Sequence, residues 1–140
     1  MAAFLWMIRV CEGTSSSNGY RMHFGGSLFT SFDDHPRKII SLNGYKSSAA
    51  GAYQILTATW NEVSSQLGLT DFSPENQDLA AVQLIRNRKA YDDVITGNFE
   101  AAIKKCAKEW ASLPGSPYGQ PTKTIAQAKK YYTQAGGNLA

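Results

Sequence analysis

A chain of 140 residues, 43% hydrophobic and 18% charged, is long enough for one packed domain and too apolar to remain disordered. Its formal charge of +3 is mild and its lysines and arginines are scattered. That suits a polyanionic partner but is no nucleic-acid signature. Cys11 and Cys106 both sit in apolar helical patterns without a CxxC motif or a His/Cys cluster. Spacing does not show whether they meet, but a chain this long needs no disulfide, so they read as buried free thiols, with no metal site.

Phe4, Met7, Ile8 and Cys11 recur at helical spacing, with Leu5 and Trp6 widening the buried arc, and predict a helix over residues 3–12. The apolar run Ala2 to Val10 is far short of the roughly 20 residues that span a membrane. Arg9 interrupts it, no basic start precedes it, and Glu12-Gly13 follows in place of a small-residue cleavage site. A core helix is therefore expected, with neither an export signal nor stable membrane insertion. Gly13 is a natural stop, because a residue without Cβ takes the left-handed conformation that closes a helix. Glu12 then lies in the last turn.

Between Thr14 and Gly51 the helical period vanishes. Ser15 to Gly19 reads as an exposed loop, and Tyr20, Met22 and Phe24 alternate up to Gly25-Gly26. Leu28, Phe29 and Phe32 follow, so a strand, a turn and a second strand are expected. Ile39, Ile40 and Leu42, ending at Asn43-Gly44, supply a third strand. The remainder is helical. Residues 57–67 carry Trp60, Val63 and Leu67, and Ser73-Pro74 starts a helix presenting Leu79, Ala81, Leu84 and Ile85. Asn98 caps a helix with Phe99, Ala102, Ile103, Cys106 and Trp110 on its apolar face. A turn-rich loop with Tyr118 follows Leu113-Pro114-Gly115, and a last helix runs from about Thr124 to Ala135. The fold class is α+β, mainly α, in a single domain over residues 1–140.

No phosphate-cradling glycine loop, GxSxG, HExxH or dinucleotide fingerprint is present, and His23 and His35 have no nucleophile partner in a known motif. Carboxylate chemistry remains. An apolar helix desolvates Glu12, and the helix C-terminus disfavours its charge, so both raise its pKa. A carboxylic acid kept neutral near pH 7 is what glycosidic cleavage needs. Position alone leaves an ordinary solvated glutamate as the alternative. In Ser47-Ser48-Ala49-Ala50-Gly51-Ala52-Tyr53-Gln54, small residues admit a sugar ring, Tyr53 offers a stacking or hydroxyl surface, and Gln54 offers an amide. A tight loop with a buried tyrosine is the competing reading. Tyr118, with Gln120, is either a ligand platform or a packing plug.

Six segments in order carry a resemblance. They are Phe4-Leu5 to Glu12-Gly13-Thr14, Gly25-Gly26-Ser27-Leu28-Phe29-Thr30, His35-Pro36-Arg37-Lys38, Ala50 to Gln54, Asp71-Phe72-Ser73-Pro74, and Trp110-Ala111-Ser112-Leu113-Pro114-Gly115 with Tyr118-Gly119-Gln120. Together they resemble the lambda-type endolysin family from about Phe4 to Gly137. The resemblance implies a lysozyme-like fold, with a small β-sheet lobe and a larger helical lobe. It implies lytic transglycosylation of peptidoglycan glycan strands, with Glu12 as the catalytic acid and cleft roles for Ser47, Ser48, Tyr53, Gln54 and Tyr118. His35, Pro36 and Arg37 look like fold-supporting residues. The lambda-type pattern has Ser where this chain has Cys11, and Arg where it has Ala52, so no role of that Arg transfers.

That route requires no metal and no cofactor. Asp33 and Asp34 are the only acidic residues near the expected β lobe, and beside His35 and Arg37 they read as a turn held by ion pairing. A hydrolytic muramidase of the same fold, using Asp33 or Asp34, is one alternative. A peptidoglycan-binding module without turnover is another, and a structural virion protein a third. The resemblance further implies a monomer that waits in the host cytoplasm. It would reach the periplasmic wall once a holin permeabilises the membrane.

Overall fold

The computed structural model describes residues 1–140 and contains six α-helices and one two-stranded antiparallel sheet. The mainly helical α+β class expected from the sequence is the one observed. The chain forms two compact units, Met1–Glu12 with Val82–Ala140, and Gly13–Ala81.

In the first unit, α1 (Ala2–Glu12) buries Phe4, Met7, Ile8 and Cys11. Spacings of three and four residues put these side chains on one face. That face packs on α6 (Ile125–Gln134). Phe4 meets Phe99 and Tyr132 edge-on, at centroid distances of 6.1 and 6.4 Å. Trp6 is not part of the buried arc: it is exposed, with the Arg9 guanidinium 5.2 Å from its ring centroid. One helix buries only one stripe, and Trp6 falls outside it.

α5 (Phe99–Cys106) buries Phe99, Ala102, Ile103 and Cys106 as expected, while Trp110 is buried beyond the helix end. Asn98 stands at the N-cap of α5 as expected, but its side chain makes no capping bond; its amide donates instead to Asp93 Oδ1 at 3.3 Å. A short helix over Tyr91–Ile95, α4, precedes it and carried no periodic signal. α6 begins with a capping box. The Thr124 hydroxyl accepts from Gln127 N, and the Gln127 side chain accepts from Thr124 N.

In the second unit the expected strand-turn-strand over Tyr20 to Phe32 does not form. Gly19–Arg21 is a 3-10 turn, and a single bridge between Met22 and Leu28 is all that pairs across Gly25-Gly26. The ladder is pre-empted. Arg21 N, which the next rung would send to the Phe29 carbonyl, donates instead to Asn18 O at 2.9 Å within the 3-10 turn. The third expected strand is present as β1 (Ile40–Leu42), paired with β2 (Tyr45–Ser47) so that Leu42 faces Tyr45. Asn43 and Gly44 both have positive φ, 50° and 82°, as a tight hairpin with the right-handed twist requires.

α2 (Thr57–Leu67) points Trp60 and Val63 inward but leaves Leu67 exposed beside its left-handed C-cap Gly68. α3 (Pro74–Asn87) begins in this unit, where the Ser73 hydroxyl accepts from Asn76 N, and its residues from Val82 on belong to the first. Its buried stripe is Ala80, Ala81, Leu84 and Ile85, with Leu79 exposed. Phe72 anchors the unit's core, with the rings of Trp60, His35 and Phe29 at 4.8, 5.0 and 6.0 Å. No helix is long and apolar enough to cross a membrane.

Candidate active site

Glu12 is the last residue of α1, and Gly13 at φ +78° ends the helix there. The side chain is mostly buried, and burial pushes its carboxyl up to about 7. The charged form loses more hydration than the neutral one, so the proton is kept. One neighbour works the other way: the Ser112 hydroxyl favours the carboxylate. That hydroxyl is buried and makes no hydrogen bond of ordinary geometry, so its contact with Glu12 is loose. Its backbone is fixed, because the Ser112 carbonyl accepts from Lys123 N at 2.9 Å. A carboxyl poised near pH 7 can both give and recover a proton. In Ser112→Ala the Glu12 carboxyl should titrate higher still, which carboxyl NMR would detect; an unmoved titration would remove the hydroxyl from the site.

The loop 47–54 belongs to the second unit. Ser47 Oγ accepts from Ala49 N at 3.0 Å, and Ser48 Oγ accepts from Thr57 N at 3.1 Å, satisfying the first N–H of α2. Both hydroxyl hydrogens can still serve a ligand. Tyr53 does not offer a stacking surface: it is 2% exposed, and the loop is the tight one with a buried tyrosine. Its hydroxyl donates to Asp78 Oδ1 at 2.7 Å, and Tyr20 donates to the same oxygen at 2.9 Å. Burial first, then Asp78, pushes the Tyr53 phenol far up, so it stays protonated. The Gln54 amide is also engaged, donating to the carbonyls of Gly51 at 2.9 Å and Met22 at 3.2 Å.

Beneath this loop lies Gln77, fully buried. Its Oε1 accepts from Ala52 N at 2.9 Å, and its Nε2 donates to the carbonyls of Phe72 at 2.9 Å and Tyr20 at 3.1 Å. The Ala52 carbonyl accepts from the Thr14 hydroxyl. Ala52 itself is fully buried, so what it contributes here is backbone. Gly51 has φ +82°, and a Cβ there would stand 2.3 Å from Gln77 Oε1. Only glycine fits.

The structure therefore groups Ser47, Ser48, Tyr53 and Gln54 on one loop, and places Glu12 and Tyr118 in the other unit. Tyr118 is exposed, its hydroxyl donating to the Lys108 carbonyl. Sequence reasoning missed Tyr20, Gln77, Asp78 and Ser112. The Trp110 to Gly115 motif pointed at the last of these without revealing its task.

A family model described as Endolysin matches residues 2–139. The chain belongs to the endolysin family. It is 42% identical over 144 residues to an endolysin of Escherichia phage lambda, covering 98% of this chain and 91% of that protein. It is 40% identical to an endolysin of Escherichia phage P2, covering 98% and 93%. Among solved structures, bacteriophage lambda lysozyme complexed with a chitohexasaccharide matches with a TM-score of 0.93 at 41% identity, covering 99% of this chain and 94% of that one. A second structure of lysozyme from bacteriophage lambda matches with a TM-score of 0.88 at 40% identity, covering 99% and 95%. The lysozyme-like fold expected from the sequence is thereby shown.

The remaining chemical candidates are structural. The Arg37 guanidinium lies 2.8 Å from Asp34 Oδ2 and, by hydrogen bonding, holds that carboxyl below its ordinary value. His35 donates from Nε2 to the Ile55 carbonyl at 2.7 Å and accepts at Nδ1 from Arg37 N at 2.9 Å. Both ring nitrogens are thus engaged in holding the turn. Cys11 and Cys106 are free and buried, and burial pushes their thiols up to about 11 and about 12. They remain protonated and are poor nucleophiles.

Proposed function

We propose that this endolysin-family chain is a single catalytic domain over residues 1–140 that cleaves the β-1,4 bond between N-acetylmuramic acid and N-acetylglucosamine in bacterial peptidoglycan. It does so by lytic transglycosylation, with Glu12 as acid and then base. One observation carries the reading: a carboxyl sequestered at the end of α1 and kept protonated up to about pH 7. Peptidoglycan enters from the relatives, which are named endolysins and lysozymes, and from the chitohexasaccharide held by the lambda lysozyme.

Glu12 donates its proton to the glycosidic oxygen as the bond to C1 of N-acetylmuramic acid breaks. The sugar's N-acetyl group steadies the positive charge at C1. The Glu12 carboxylate then takes the proton of the same sugar's 6-hydroxyl, whose oxygen bonds to C1 and closes a 1,6-anhydro ring. Both nucleophile and electrophile belong to one residue of the glycan, so the effective concentration can reach on the order of 10⁵ M. The Ser112 hydroxyl supports the intermediate state, in which Glu12 is charged.

Ser47 and Ser48 donate hydroxyl hydrogens to the glycan, and Tyr118 presents its exposed ring to it. Gln54 and Tyr53 serve by shaping the loop, Tyr53 through Asp78. No metal or cofactor takes part. Asp34 is committed to Arg37, which disfavours its use as a water-activating base in a muramidase. The enzyme acts as a monomer, waits in the host cytoplasm, and reaches the wall after a holin opens the membrane. Mass spectrometry of digested sacculi tests the chemistry. Anhydro-muramic ends are expected, and reducing ends alone would convert the assignment to a hydrolase.

A further inference from the structure

Outside the residues used above lies a groove of about 310 Å³ in the first unit. Glu100, Ile103, Lys104 and Ala107 form one wall, Pro114 and Ile125 the other. The first four follow at three- and four-residue intervals and so share one helix face. Ile103 and Ala107 make an apolar floor, while Lys104 and Glu100 stand exposed above it, opposite in charge. Glu100 pairs with Lys129 at 3.3 Å, a solvent-exposed contact worth little. Lys104 enters no ion pair. A volume at the lower end of ligand pockets suits a short peptide better than a run of sugars.

We infer that this groove binds the peptide stem that each N-acetylmuramic acid carries. Such a stem offers what the groove presents: alanine methyls for the accessible apolar lining at Ile125 and Pro114, a carboxylate for Lys104, and the ammonium of a diamino residue for Glu100. Reach supports the match. Pro114 follows Ser112 by two residues, at most about 7 Å of chain, and Ser112 is the hydroxyl beside Glu12. A tetrapeptide extends to about 13 Å, enough to run from a sugar held at Glu12 into the groove. The inference rests on the peptidoglycan reading above, and supplies it with a preference for peptide-bearing strands over naked glycan.

The test uses two substrates, glycan strands with tetrapeptide stems and the same strands stripped by an amidase, with Lys104→Glu beside wild type. Lys104 is exposed, so the variant should fold. Its KM should rise about fivefold on stemmed strands, the size of one exposed charge contact, and stay within twofold on stripped ones. The free tetrapeptide should also shift the methyl NMR signals of Ile103 and Ile125 in the wild type. Equal effects on both substrates, or unshifted methyls, would overturn the stem site while leaving glycan cleavage intact. Failure of wild type on both substrates would remove the peptidoglycan reading and this inference with it.

Discussion

Glu12→Gln is expected to abolish lysis and, above pH 7, to make the protein more stable than the wild type. Loss of general acid catalysis costs about 10²- to 10⁴-fold, and glutamine has no proton to give or recover. The stability gain follows from the same burial. Between the ordinary value of 4.5 and about 7, the folded chain holds the Glu12 proton and the unfolded chain does not. Stability therefore falls as pH rises through that window. Above it, the full cost of a buried carboxylate is about 3 kcal/mol. Glutamine never carries this charge, so the variant's advantage should be largest near pH 8 and vanish below pH 4.5. Denaturant titration at both pH values measures it. A variant no more stable at pH 8, or one that still clears cells, would mean that Glu12 is an ordinary solvated carboxylate.

Gln77→Leu should cost about 3 to 5 kcal/mol. Leucine approximates the volume but strands three backbone groups, Ala52 N–H and the carbonyls of Phe72 and Tyr20. The Ala52 and Phe72 groups lie in buried bonds to a fully buried side chain, without ready access to water. Because Ala52 lies in the loop that carries Ser47, Ser48, Tyr53 and Gln54, activity should fall along with stability. Urea unfolding that shows a loss below about 1 kcal/mol would contradict the bond network described for Gln77.

What the sequence made legible was whatever rests on near neighbours. α1, α2, α5 and α6 each bury a stripe that recurs every three or four residues, and the Ser73-Pro74 start and the Asn43-Gly44 turn are local chemistry. Glu12 was visible because helix, stop and carboxyl adjoin. The misreadings share a cause. Tyr20, Met22 and Phe24 alternate like a strand, but Arg21 N turns back to Asn18 O instead of crossing to Phe29, and the pairing stops at one bridge. Leu79 and Trp6 follow apolar periodicity yet face solvent, since periodicity does not say how wide the buried stripe is. β2, with the sequence Tyr45-Lys46-Ser47, has no apolar alternation and exists through its hydrogen bonds to β1. Asp78 meets the hydroxyl of Tyr20 across 58 positions and that of Tyr53 across 25. A polar residue on a helix gives no sign of partners that distant.

Site-specific titration of the Glu12 carboxyl by ¹³C NMR, in the free wild-type protein, bears most directly on the mechanism. A midpoint near pH 7, mirrored by a fall in kcat/KM over the same range, is the expected result. A midpoint near pH 4.5 would leave no proton on Glu12 at the moment the glycosidic bond must break, and the mechanism would fail.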